Sequence, residues 1–210
     1  MQIEILRRED RVTRPHLFQD MFHHRRNIFI RRLGWALPEQ EDCETDAFDA
    51  LPDVTYVVAL AGHRLIGSLR LLPTTGPTTL ETYFPDDFAR LAGAPSAHLW
   101  ECSRFYALPA GPGEELAQPN VSLALLHGLC AHALTQRIAR IVGTFEGRMH
   151  RIYTRLGWPP AHVEPSINGE GFVGVWDASR EPLHRMDRKL AASRPANTNT
   201  PVLAAASVGR

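Results

Sequence analysis

The chain has 210 residues, enough for one domain with a sizeable core, and its 44% apolar and 22% charged content is that of a globular protein. Lys plus Arg equals Asp plus Glu at 23 each, so the zero net charge gives no electrostatic footprint for a general nucleic-acid binder. No stretch is apolar for long enough to span a membrane and the start carries no apolar leader. Three cysteines without a CxxC spacing read as reduced thiols of a cytoplasmic protein, and ten histidines without a zinc pattern give no metal site.

Residues 2–6 alternate polar and apolar, as a short strand does. Residues 15–33 read as a helix: Leu17, Phe18, Met21, Phe22, Ile28 and Phe29 recur at helical spacing, Pro15 fits the first turn, and Gly34 terminates it. Arg25 and Phe29, four apart, share one side of that helix. Residues 36–53 turn acidic and loop-like, with Phe48 pinning the loop to the body between Asp46 and Asp49. Residues 54–60 and 64–72 form a hairpin about Ala61-Gly62-His63, and Arg70 sits in its second strand among apolar neighbours. A loop and short helical turns lead to a strand at 99–107. The connection at 109–119 is followed by a strongly apolar helix at 120–138 and a short strand at 140–144. A helix at 148–156, strands at 161–165 and 171–177, and a helix at 179–191 complete residues 1–192 as one domain. Residues 193–210, rich in Ala, Asn, Thr, Pro and Ser, read as a disordered tail. A long helix between two parallel strands, beside an antiparallel hairpin, gives a three-layer α/β/α sandwich with a mixed sheet.

The strand LWECSRFYA (99–107) carries Glu101 and Arg104 in a run that should be dry, and charges are seldom buried unless paired or working. Strict alternation places Glu101, Ser103 and Phe105 on one face and Cys102, Arg104 and Tyr106 on the other. Glu101 and Arg104 would therefore meet only across a bulge. With the acidic loop and the hairpin, the chain offers three cations (Arg25, Arg70, Arg104) and three anions (Asp46, Asp49, Glu101) to line one polar cleft. No nucleophile elbow, phosphate-binding loop or dinucleotide fingerprint is present. The order of elements suggests an N-acyltransferase. Yet where acetyl-CoA enzymes cradle the pyrophosphate this chain has Gly111-Pro112-Gly113-Glu114-Glu115, and two acids make a poor phosphate cradle.

Five pieces occur in this order: RRNIFIRRLGW (Arg25, Phe29, Trp35), ETDAFD (Asp46, Asp49), GSLRLLPTTGPTTL (Arg70), WECSRF (Glu101, Ser103, Arg104) and RIYTRLGW (151–158). With them the chain resembles the acyl-homoserine-lactone synthase family, the LuxI-type autoinducer synthases of bacterial quorum sensing. The resemblance implies a fold related to that of the GNAT N-acyltransferases, and two substrates: S-adenosylmethionine and an acyl thioester. It implies amide formation followed by lactonisation with release of methylthioadenosine, and no metal or redox cofactor.

On this reading Glu101 is the general base and Ser103 or backbone N–H groups meet the oxyanion. Arg25, or another arginine of the cluster, holds the substrate carboxylate. Phe29 and Trp35 face the adenine or the sulfonium. Asp46, Asp49, Arg70 and Arg104 form the network that orients these groups. Arg148, Arg151 and Arg155 make a basic stripe that suits an acidic acyl carrier protein, the favoured donor, or the phosphates of coenzyme A. Leu123, Leu126, Gly143, Phe145 and Met149 are candidates for the acyl pocket, with plain core as the competing reading. Gly143 lies where many members that make 3-oxo products carry threonine, which speaks against a 3-oxo chain. Two alternatives stay open: an N-acyltransferase of the same fold using acyl-CoA and another amine, and a non-catalytic relative that binds a ligand.

Overall fold

The computed structural model describes residues 1–108, 120–169 and 171–193. The connection at 109–119, with its run from Gly111 to Glu115, and the tail from residue 194 on lie outside the described residues. Seven strands form one sheet: β1 Gln2–Arg7, β2 Thr55–Ala61, β3 Arg64–Pro73, β4 Leu99–Ala107, β5 Arg140–Phe145, β6 His162–Pro165 and β7 Phe172–Asp177. Their spatial order is β1-β2-β3-β4-β5-β7-β6. Every neighbouring pair is antiparallel except β4 and β5. A parallel pair needs a crossover, here the helix Val121–Thr135.

The α-helices of five residues or more among the described residues are α1 Pro15–Arg25, α2 Thr79–Tyr83, α3 Val121–Thr135, α4 Gly147–Leu156 and α5 Arg180–Ala192. Asn120 starts α3 by accepting the Leu123 N–H at 3.1 Å. Both faces of the sheet are covered, which is why β2 reads as a continuous apolar run rather than an alternating one. Tyr56, Val58 and Leu60 pack with Phe18, Met21 and Phe22 of α1. Val57 and Ala59 pack on the other side with Leu125, Leu129 and Ala133 of α3. Leu80, Phe88, Val142, Val173 and Val175 form a third cluster at the far end. The result is the expected three-layer α/β/α sandwich with a mixed sheet.

Two departures from regularity shape the cavity side of the sheet. The helix expected over residues 15–33 is α-helical only to Arg25 and continues as a π-helix over Arg26–Arg32, a wider turn often found at functional sites. And β4 is bulged: between the pairs Ser68–Tyr106 and Arg70–Ser103, Leu69 alone faces both Arg104 and Phe105. Arg104 takes up the extra residue with φ +52°. The bulge breaks the strict alternation, so Cys102 and Phe105 pack toward α3 while Tyr106 turns the other way to meet Phe29. Beyond the bulge β4 also loses its other neighbour. Its pairing with β5 covers only Leu99–Glu101 against Arg140–Val142, and past that point the sheet opens.

Candidate active site

Three arginines and three carboxylates interlock behind the bulge. Arg25 donates its Nε to Glu44 at 2.5 Å and both terminal nitrogens to Asp49, at 2.8 and 2.9 Å. Arg70 donates to Asp46 at 2.5 Å, to Asp49 at 3.0 Å, to Ser103 Oγ at 3.2 Å and to Thr79 Oγ1 at 3.1 Å. Arg104 reaches Glu44 and Asp46, both at 3.0 Å. The Tyr56 hydroxyl adds a 2.8 Å bond to Asp49. Arg25 is 1% exposed and Arg70 fully buried, so these charges stand only because each is answered. Burial opposes the Arg25 charge, but Asp49 and Glu44 outweigh it and raise its pKa. Burial likewise pushes Glu44 and Asp49 up, and the guanidiniums override it to hold both carboxyls below the usual carboxylate range.

The loop is built for this. Asp46 caps the short helical turn Ala47–Ala50 by accepting the Phe48 N–H, and Asp49 reaches back to the Asp46 N–H. Both carboxylates are thereby held by backbone N–H groups of their own loop as well as by the arginines.

Glu101 is not part of the exchange. The expected trio of anions included it, but Glu44, one acid among many in its loop, takes that place. Glu101 is 2% exposed, and its Oε2 accepts the Leu80 N–H of α2 at 2.6 Å. Burial raises its pKa, against the lowering influence of that N–H, of the Arg70 charge and of the Thr79 and Thr78 hydroxyls. Three cations against three anions leave Glu101 as the fourth carboxylate, with no ion pair among the described residues.

The opened sheet encloses a cavity of about 300 Å³. Glu101, Ser103 and Arg104 line its middle. One wall carries Phe29 and Trp35, stacked at 5.0 Å and 19°, with the Arg104 guanidinium 6.0 Å from the Phe29 ring centre. The opposite wall is apolar, with Leu126, Gly143, Phe145 and Met149 over a floor of Tyr153 and Trp176.

Several expected positions lie off the cavity wall. Arg25, Arg70, Asp46 and Asp49 stand behind the wall rather than on it. Every donor nitrogen of Arg25 is taken by Glu44 and Asp49, which corrects its expected role as carboxylate clamp. Leu123 packs into the core and does not line the cavity, unlike the other four acyl-pocket candidates. Arg148, Arg151 and Arg155 are exposed along α4; Arg148 pairs with Glu146 at 2.8 Å. Glu44, Tyr56, Thr79 and Tyr106 are parts of the site that spacing alone does not single out. The described residues contain no cluster of side chains able to hold a metal ion and no helix long and apolar enough to cross a membrane.

The family model for autoinducer synthases matches residues 10–182. An acyl-homoserine-lactone synthase of Rhizobium etli is 37% identical over 193 residues, 90% of each chain. Among solved structures, the CoA-dependent acyl-homoserine lactone synthase MesI matches with a TM-score of 0.73 at 25% identity, covering 90% of this chain and 95% of its own. The CoA-dependent acyl-homoserine lactone synthase BjaI shares the fold, with a TM-score of 0.76 at 24% identity over 92% and 90% of the two chains. A relative this close across nearly the whole length, and a family match that spans the ion network and the cavity alike, place the chain in the autoinducer synthase family, the acyltransferases that make acyl-homoserine lactones.

Proposed function

We propose that the enzyme joins the amine of S-adenosylmethionine to an acyl thioester and then closes the lactone. The observation that carries this reading is the position of Glu101: a buried carboxylate with no ion pair among the described residues, at the meeting point of an aromatic wall and an apolar one. An α-ammonium must lose a proton before it attacks, and a desolvated carboxylate with a raised pKa is a suitable acceptor, directly or through a water. The nitrogen then bonds to the thioester carbonyl carbon, the C–S bond breaks and the thiol leaves. Ser103 Oγ accepts from Arg70, which leaves its own proton free for the developing oxyanion. Backbone groups of β4 past Glu101, where the ladder to β5 ends, are further donors. In the second step a carboxylate oxygen displaces the sulfonium and methylthioadenosine departs.

Phe29 and Trp35 suit the adenine or the sulfonium, the latter by cation–π attraction. Asp46, Asp49, Arg70 and Arg104 hold β4, α1 and the acidic loop in one geometry, and Arg25 joins them. The acyl chain would lie along Leu126, Gly143, Phe145 and Met149. The scheme uses proton transfer and substitution alone and calls on no metal or redox cofactor.

For the donor, the exposed arginines of α4 support an acyl carrier protein, the donor favoured by the sequence, whereas MesI and BjaI support coenzyme A. BjaI is known with S-adenosylmethionine and isopentyl-CoA, which supports the amine substrate as well. The test is mass spectrometry of purified protein with S-adenosylmethionine and straight, 3-oxo, branched and aromatic acyl donors, each as carrier-protein and CoA thioester. Methylthioadenosine appearing together with one N-acyl lactone is the expected result. Acyl transfer to other amines, with no lactone from any donor, would overturn it.

A further inference from the structure

We infer that Tyr153 is a specificity residue of the acyl side, whose hydroxyl donates a hydrogen bond to an oxygen carried on the acyl chain near the thioester; the inference rests on an acyl thioester being the second substrate. Tyr153 belongs to α4 and is only 8% exposed. Its ring is held on three sides. Phe145 and Trp176 meet it edge-on, with ring centres 5.4 and 5.0 Å away, and Phe105 stacks on it at 6.5 Å. The hydroxyl has no hydrogen-bond partner among the described residues. A buried tyrosine O–H ordinarily finds one. Among the described residues no unpartnered side-chain nitrogen or oxygen is sealed from open space, so the Tyr153 oxygen opens on the cavity that its ring lines.

The other hydroxyls around the cavity differ. Those of Thr79 and Ser103 accept from Arg70, and that of Tyr106 lies 3.4 Å from His24 Nδ1. Ser122 and Thr144 are less buried. Among the described residues, Tyr153 is therefore the cavity hydroxyl that is both nine-tenths buried and unpartnered.

Its neighbours fix where along the chain the oxygen belongs. Tyr153 stands beside Phe105, and close enough to the Cys102 thiol for that group to influence its ionisation. Cys102 follows Glu101 on β4, so the hydroxyl stands next to the reaction centre rather than at the far end of the acyl wall. Gly143 of β5 brings no side chain to this place, and the hydroxyl comes from α4 instead. Burial, with Cys102 adding to it, raises the Tyr153 pKa, and burial raises that of Cys102 as well. Both groups keep their protons at neutral pH. The spot thus offers neutral donors in an apolar wall, which suits a keto or hydroxyl oxygen and not a carboxylate. A chain without such an oxygen would strip the phenol of water and give it no acceptor in return.

The test compares wild type with Tyr153→Phe in the full chain. It measures kcat/KM for lactone formation with unsubstituted, 3-hydroxy and 3-oxo donors of one chain length, each as carrier-protein and CoA thioester. Wild type should favour an oxygen-bearing chain. The ratio of its kcat/KM to that of the unsubstituted chain should fall by about three- to tenfold in Tyr153→Phe. A fall on the 3-oxo donor, the 3-hydroxy donor or both supports the inference and tells a carbonyl acceptor from a hydroxyl one. The melting midpoint should not fall, because this hydroxyl has no partner in the described protein to lose. A wild-type preference for the unsubstituted chain, an unchanged ratio in the variant, or a lowered midpoint would overturn the inference. If wild type formed no lactone from any donor, the proposed reaction would fall and this inference with it; lactone formed without the preference would strike the inference alone.

Discussion

Replacing Glu44 by Gln removes one of six interlocked charges while keeping the shape of the side chain. Glu44 is fully buried and answers two guanidiniums, Arg25 at 2.5 Å and Arg104 at 3.0 Å. After the change three arginines face two carboxylates, all with side chains no more than 8% exposed. Breaking a buried ion pair from one side costs about 3–5 kcal/mol, because the remaining charge is left uncompensated. In a chain of this length each kcal/mol lowers the melting midpoint by roughly 2–4 °C, so E44Q should melt about 6–20 °C below wild type. Differential scanning fluorimetry measures this directly. Glu39→Gln is the control, since Glu39 also pairs with two arginines, Arg26 and Arg31, but in water. Its midpoint should hardly move. If E44Q and E39Q melted together, near wild type, the network would not be what fastens the acidic loop to α1 and β4.

Further outcomes rest on the same geometry. Glu44 and Asp49 have pKa values below their unfolded values, so their stabilisation is complete above the ordinary carboxylate range near pH 4. It is lost as pH falls through the depressed values, and acid titration of E44Q should show a shallower loss than wild type. Glu101 runs the other way. Its pKa is raised, so its contribution to stability is lost as pH rises through the raised value, because burial disfavours the ionised form. Glu101→Gln should therefore cut lactone formation by about 10²–10⁴-fold yet melt at or above the wild-type temperature; turnover intact with a lowered midpoint would contradict this. Gly143→Ala brings a Cβ to 2.7 Å from the Cys102 carbonyl oxygen and should cost about 1–3 kcal/mol, seen as a lowered urea midpoint. Tyr56→Phe deletes one hydrogen bond to a buried carboxylate and should cost about 1.5–3 kcal/mol in the same measurement.

Much of the fold is written in local pattern. The apolar stripe of α1, the hairpin, and the two charges embedded in 99–107 each have a period or a contradiction that a sequence displays. What the sequence hides are choices between equivalents. Glu44 sits in a loop with Glu39, Glu41, Asp42, Asp46, Asp49 and Asp53, and only the return of that loop onto α1 selects it. Helix α3 is apolar all round, so no face marks Leu126 for the cavity and Leu123 for the core. The π-helical stretch shares its composition with an ordinary helix end. The bulge at Arg104 requires φ +52° at a residue that local preference would not place there; tertiary pairing with Glu44 and Asp46 keeps it.

The opening between β4 and β5 has a consequence for how such an enzyme diversifies. Every member of the ion network, from Arg25 to Arg104, precedes the crossover connection. The apolar wall, from Leu126 to Trp176, comes after it. On the proposed scheme, one half of the gene encodes how the amine is held, and the other half encodes which chain is attached to it. If the apolar wall holds the acyl chain as proposed, drift or recombination after residue 108 changes the signal a cell broadcasts and leaves every residue of that network in place.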